Sequence, residues 1–103
     1  MIDQAIERAA HLAAPTHLVA DTRAEFRAAA LEHLEHASRI GAHTLVIDLA
    51  ATTEIDASGL GILVLLQKRA RERGMGTSLE HPSVELRRML ALTRLDYLFA
   101  IGD

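Results

Sequence analysis

Ser58 sits in the run Ile55-Asp56-Ala57-Ser58-Gly59-Leu60-Gly61, a short loop after the apolar segment Leu45-Val46-Ile47-Asp48-Leu49. A hydroxyl beside two glycines, at the start of an apolar helical run, suits two kinds of chemistry. It can cap the helix, its oxygen accepting from free amides of the first turn. It can also carry a phosphoryl group, because those amides and the positive end of the helix dipole favour an anion. A phosphate there would add roughly -1.5 to -2 charges to the surrounding surface. Gly59 and Gly61 would expose backbone and let a kinase or partner approach closely. Spacing alone favours plain capping by Ser58. On that reading the glycines merely allow the helix to pack closely on a sheet, and Asp56 is a loop acid near a positive helix end.

Other reactive residues form no comparable set. His33 and His36 are three apart on one predicted helix, flanked by Glu32 and Glu35, a spacing that can hold a metal. No third ligand stands in register with them, so a solvated helix face is the simpler reading. His11, His17, His43 and His81 are scattered, and a Ser-His-acid triad is defined by geometry, not by sequence. Lys68, Arg69, Arg71 and Arg73 gather where cations complement a helix C-terminus. Arg87, Arg88 and Arg94 belong to the next helix and its exit. No Gly-x-x-x-x-Gly-Lys-Ser/Thr loop is present. With no cysteine in the chain, thiolate chemistry and disulfides are excluded and a reducing compartment is compatible. The expectation is a protein that is not an enzyme and has no catalytic, metal or cofactor residues.

Composition narrows the class further. The 103 residues, half of them hydrophobic, fit one domain over 1–103 with one core. A net charge of -3 gives no reason to expect nucleic acid or an anionic membrane as partner. One Tyr, two Phe and no Trp make base-stacking platforms a poor fit. The longest apolar run, residues 60–66, leads straight into Gln67-Lys68-Arg69 and is far short of the roughly 18 residues of a membrane span. Met1-Ile2-Asp3-Gln4 lacks the basic-then-apolar order of a signal peptide. A cytoplasmic location is expected.

The elements that must position Ser58 can be read in outline. Residues 6–12 and 17–20 alternate weakly around Ala14-Pro15 and read as two short edge strands. Thr22-Arg23-Ala24-Glu25 has capping-box spacing. A helix should follow, with Phe26, Ala30, Leu34 and Ala37 on one face and Gly41 as its left-handed terminator. Residues 43–49 are β-branched and nearly continuous in apolar character, as in a central strand buried on both faces. Residues 50–55 read as loop. Ser58 then caps a helix from Gly59 to about Arg73, which stops at Gly74. Its apolar stretch, residues 62–66, reads as the buried half, with an exposed partner-binding patch as the alternative. A short strand at 77–80, a helix with Pro82 in its first turn and Leu86, Met89, Leu90 and Thr93 on one face, and a last strand within 97–101 complete the order. Strands alternating with helices predict an α/β fold with a mainly parallel sheet, made mixed if the first two strands run the other way.

The segments Val46-Ile47-Asp48-Leu49 and Ile55-Asp56-Ala57-Ser58-Gly59-Leu60-Gly61 together resemble the signature of the STAS domain family. Gly74, Leu79, Pro82-Ser83 and Leu90-Ala91-Leu92-Thr93-Arg94-Leu95-Asp96 continue the resemblance, which spans about residues 20–101. It implies a STAS-like α/β sandwich of four or five strands, mostly parallel or mixed, with the helices mainly on one face. It also implies kinship with the anti-sigma factor antagonists. In those, the hydroxyl residue before the glycine, here Ser58, is phosphorylated by a serine-kinase anti-sigma factor, which the unphosphorylated protein sequesters. A PP2C-type phosphatase reverses the modification. Asp56, Ala57, Ser58, Gly59, Leu60 and Gly61 would form the partner-binding motif. Ala57 removes a second phosphosite. The family's usual Gly-x-Leu-Asp before the first helix is replaced here by Pro15-Thr16-His17-Leu18-Val19-Ala20-Asp21, and many members continue with a final helix beyond the point matching Asp103. The rival within the family is an accessory STAS subunit of a lipid-transport ABC system, or another signalling scaffold, that needs no phosphorylation.

Overall fold

The structure, a computed structural model, describes residues 8–102. Strand β1 (Ala9–Ala13) is followed by β2 (His17–Leu18), helix α1 (Arg23–Arg39), β3 (Thr44–Asp48) and β4 (Glu54–Ile55). Helix α2 (Ala57–Glu72), β5 (Gly76–Glu80), helix α3 (Val84–Thr93), a 3-10 turn at Asp96–Leu98 and β6 (Ala100–Ile101) complete the chain. The main sheet has the order β1-β3-β5-β6, and every pairing in it is parallel. Strands β2 and β4 form a separate parallel pair.

The alternation of each strand sorts its side chains onto two faces. Ala10, Leu45, Thr77 and, one pleat along, Leu12, Ile47, Leu79 and Ile101 share one face. That face meets Phe26, Ala30 and Leu34 of α1, Leu63 and Leu66 of α2, and Leu86 and Leu90 of α3 in one core. On the other face the row His11, Val46, Ser78 and Ala100 carries only one buried side chain, Val46. The described helices therefore pack on one side of the sheet, as the resemblance implies.

Several local expectations change. Strand β3 is central as predicted, but among the described residues helices cover one of its faces only. Val46, on the opposite face, is 6% exposed. The first strand is an edge strand at Ala9–Ala13 and runs parallel, so the described residues do not make the sheet mixed. The part of the predicted strand before residue 8 lies outside the described residues. The predicted loop over 50–55 ends in β4, whose Glu54 and Ile55 pair with His17 and Leu18. A two-residue strand is held by its partner, not by periodicity, so nothing local marks it.

Helix ends show where backbone chemistry was legible. Gly41 and Gly74 take φ of 78° and 75°. In each case the amide after the glycine returns to a carbonyl five residues back, Ala42 to Ala37 and Met75 to Ala70, the Schellman closure. The capping box at α1 is absent. Thr22 makes no side-chain cap bond to the helix. Its hydroxyl donates to the His17 carbonyl at 2.6 Å and accepts the Val19 amide at 3.2 Å. A turn that needs closing has drawn the hydroxyl backwards. Helix α3 starts at Val84 behind Ser83, whose Oγ accepts the Leu86 amide at 3.1 Å. Pro82 therefore precedes the cap and is not part of the first turn. The last predicted strand contracts to Ala100–Ile101, because residues 96–98 wind into the 3-10 turn.

Candidate functional site

Helix α2 begins two residues earlier than expected, and Asp56, not Ser58, is its N-cap. Asp56 has extended backbone angles, φ -125° and ψ -172°. Its Oδ1 accepts the Gly59 amide at 3.0 Å, and its carbonyl accepts the Leu60 amide. Aspartate caps as well as serine does, and Asp56 is the residue that still has extended geometry when it leaves β4. Ala57 and Ser58 are then already helical.

The second carboxylate oxygen of Asp56 accepts the Ala20 amide at 3.2 Å. One side chain thus ties the link between β2 and α1 to the start of α2. The Gly59 amide is the largest influence holding the Asp56 carboxyl below its ordinary 3.8, with the Ala20 amide adding to it against a push upward from burial. The cap is an anion at neutral pH.

Capping by Asp56 releases Ser58. Among the described residues the Ser58 hydroxyl makes no hydrogen bond. It is half-buried and lines an open groove with Ala57, Gly61 and Ile62 of α2 and Arg23, Ala24 and Arg27 of α1. The two helices place their N-terminal turns side by side here. At their far ends Arg73 pairs with Glu35.

The six residues of the motif divide by exposure. Ala57 and Gly61 are exposed, and Asp56 and Ser58 are half-buried. Gly59 and Leu60 turn inward and are buried. A side chain on Gly59 would begin 2.0 Å from the Leu18 carbonyl oxygen. The glycine is therefore there for close packing against β2 and not for the approach of a partner. Gly61 has nothing within 4 Å of where its Cβ would stand, so its surface is open. In the apolar stretch after it, Ile62, Leu63 and Leu66 are buried while Val64 and Leu65 are half-buried.

The other sequence candidates stay apart. His33 and His36 line a separate groove on α1 with Glu32 and Arg39. No group of three or more metal-ligating side chains is found among the described residues. Asp48, at the end of β3, accepts the Ala50 amide at 2.9 Å and lies 3.2 Å from His81 Nδ1. The Ala50 amide first, then His81, keeps its carboxyl below the ordinary value. Arg23, Arg27, Leu18 and Ala20 all shape the surroundings of Ser58, and sequence reading did not single them out for it. The four-residue spacing of the two arginines places them on one helix face, but only the fold says which helix start that face meets.

Known proteins place this geometry in context. A family model described as "Mlab, STAS domain" matches residues 2–100. A STAS-domain containing protein of Pseudomonas aeruginosa (strain UCBPP-PA14) is 39% identical over 57 residues. That match covers 55% of this chain and 56% of the relative, so it spans little more than half the length of each. Among solved structures, a candidate anti-sigma factor antagonist from Thermotoga maritima superposes with a TM-score of 0.80 at 23% identity, over 94% of this chain and 80% of that one. The Bacillus cell fate determinant SpoIIAA in its phosphorylated form gives 0.68 at 14%, over 94% and 85%. A sulfate transporter family protein from Wolinella succinogenes gives 0.67 at 16%, over 92% and 76%. At such identities these likenesses are of fold. No helix among the described residues is long and apolar enough to cross a membrane.

Proposed function

We propose that this chain, which belongs to the STAS domain family, is a phosphorylation-controlled binding switch of the anti-sigma factor antagonist kind. In this reading 1–103 is one STAS domain that acts in the cytoplasm and has no catalysis of its own. Unphosphorylated, it sequesters a serine-kinase anti-sigma factor. The kinase modifies Ser58, and a PP2C-type phosphatase restores the free hydroxyl. The partner meets Ala57, Ser58 and Gly61 directly, with Asp56 at the rim and Gly59 and Leu60 shaping the turn from beneath.

The observation that carries the reading is the release of Ser58. Spacing alone made it a structural cap. In the fold Asp56 caps α2, and Ser58 keeps an unbonded hydroxyl in an open groove. Such a hydroxyl can enter a kinase site without unravelling the helix. Two fold neighbours point the same way, one described as an anti-sigma factor antagonist and one captured phosphorylated.

The second reading is the accessory subunit of a lipid-transport ABC system. It is favoured by one observation, that the matching family model carries the Mlab description. Calorimetric titration of wild type, Ser58→Ala and Ser58→Asp against the cognate kinase-type anti-sigma factor separates the two. The switch requires tight binding by the first two and weak binding by the third. Equal affinity of all three would make Ser58 a bystander and leave the accessory role as the better reading.

A further inference from the structure

The groove in front of Ser58 has a second wall. Arg23 and Arg27 stand one turn apart on α1, and both line the groove that Ser58 lines. Both are exposed. Among the described residues neither makes a hydrogen bond or ion pair. By contrast, Arg73 is held by Glu35 and by the Arg69 carbonyl, and Arg8 donates to the Ile40 carbonyl. Two arginines without a partner among the described residues thus line the same groove as one unbonded hydroxyl.

A phosphate on Ser58 needs such a wall. The helix start that would ordinarily receive it is already occupied. Asp56 holds the Gly59 and Ala20 amides and is itself an anion. A phosphate two residues along would meet a like charge with part of the amide cradle taken. Asp21 and Glu25, near the start of α1, add no positive charge. The counter-charge available on the groove is that of Arg23 and Arg27, whose planar forks suit phosphate oxygens.

We propose that Arg23 and Arg27 form an intramolecular phosphate clamp for Ser58. It rests on Ser58 being the modified residue, and adds the groups that read the modification. Phosphorylation then does more than add negative charge. It engages both arginines, joins the first turns of α1 and α2 through the phosphate, and turns a basic groove into a nearly neutral one. The clamp makes the phosphorylated state a defined arrangement of this chain's own residues, in place of a loose charge on its surface.

The test needs no kinase. The full chain is made with phosphoserine incorporated at position 58 during translation, in the wild-type background and with Arg23→Gln and Arg27→Gln together. The second ionisation of the phosphate is followed by phosphorus NMR against pH. The clamp favours the dianion, so the wild-type background should titrate lower than the double variant, by about one unit. The difference should shrink as salt is raised. Arg27→Lys, which keeps the charge and loses the fork, should fall between. The unmodified double variant should unfold at the same denaturant concentration as the wild type, because both side chains are exposed and unbonded. Coincident titration curves in the two backgrounds overturn the clamp. That failure is distinct from failure of the switch itself, which is read from anti-sigma factor affinity and not from the phosphate.

Discussion

The Leu18 carbonyl oxygen stands 2.0 Å from where a side chain on Gly59 would begin, so β2 and the first turn of α2 meet backbone to backbone. Gly59→Ala forces one of two well-held segments to move, since Leu18 is fully buried and paired with Ile55. Overpacking of this kind costs about 1–3 kcal/mol. Gly61→Ala is the control, because nothing lies within 4 Å of its Cβ position. In a helix it should gain about 0.5–1 kcal/mol. Urea unfolding of the two variants should move the midpoints in opposite directions.

The exchange of roles between Asp56 and Ser58 has its own signature. Asp56→Ala removes an N-cap and should cost about 0.5–2 kcal/mol. Ser58→Ala, had serine been the cap, would cost the same. With its hydroxyl unbonded it should stay within about 0.5 kcal/mol of wild type. Thermal melts of the two variants at neutral pH decide which residue caps α2, and equal losses would restore the cap to Ser58.

Acid stability follows from the same carboxylate. Asp56 and Asp48 both have folded-state pKa values below the ordinary 3.8. The folded protein binds fewer protons than the unfolded chain across that interval, so stability rises with pH there. The contribution is complete above the unfolded value and is lost as pH falls below about 3.8 through the folded values. Asp56→Asn should flatten the acid limb of a plot of unfolding midpoint against pH. An unchanged slope would mean that the Gly59 and Ala20 amides do not favour the charged form.

Ser58→Asp should separate folding from binding. A carboxylate in the first turn of α2 suits the helix dipole by about 0.3–1 kcal/mol, tempered by Asp56 nearby. At a partner interface the same charge must be desolvated. Stability should therefore stay close to wild type while affinity for the kinase-type anti-sigma factor falls by roughly tenfold or more, about 1.4 kcal/mol. Unfolding curves and calorimetric titration of one preparation check both halves.

The sequence by itself determined the elements whose cause is local. The apolar run containing Val46 and Ile47 is a central strand. Phe26, Ala30, Leu34 and Ala37 do form one buried face, and Gly41 and Gly74 do close their helices, because each rests on a period or on a backbone angle that one residue type supplies. The motif around Ser58 was likewise visible as residue types in order. Tertiary structure alone decided which member does what. Asp56 became the cap because it leaves β4 still extended, and its second oxygen reaches across to the Ala20 amide. Gly59 became a packing glycine because the Leu18 backbone crosses it. Thr22 gave up its predicted cap for the His17 carbonyl, 2.6 Å away. Strand β4 exists because β2 pairs with it. These choices depend on neighbours 36 to 41 positions away in the chain, or on the closing of a turn, and no spacing within a single segment records them. The groove shared by Ser58, Arg23 and Arg27 is the same case, since α1 and α2 are remote in sequence until the core they share sets their first turns side by side.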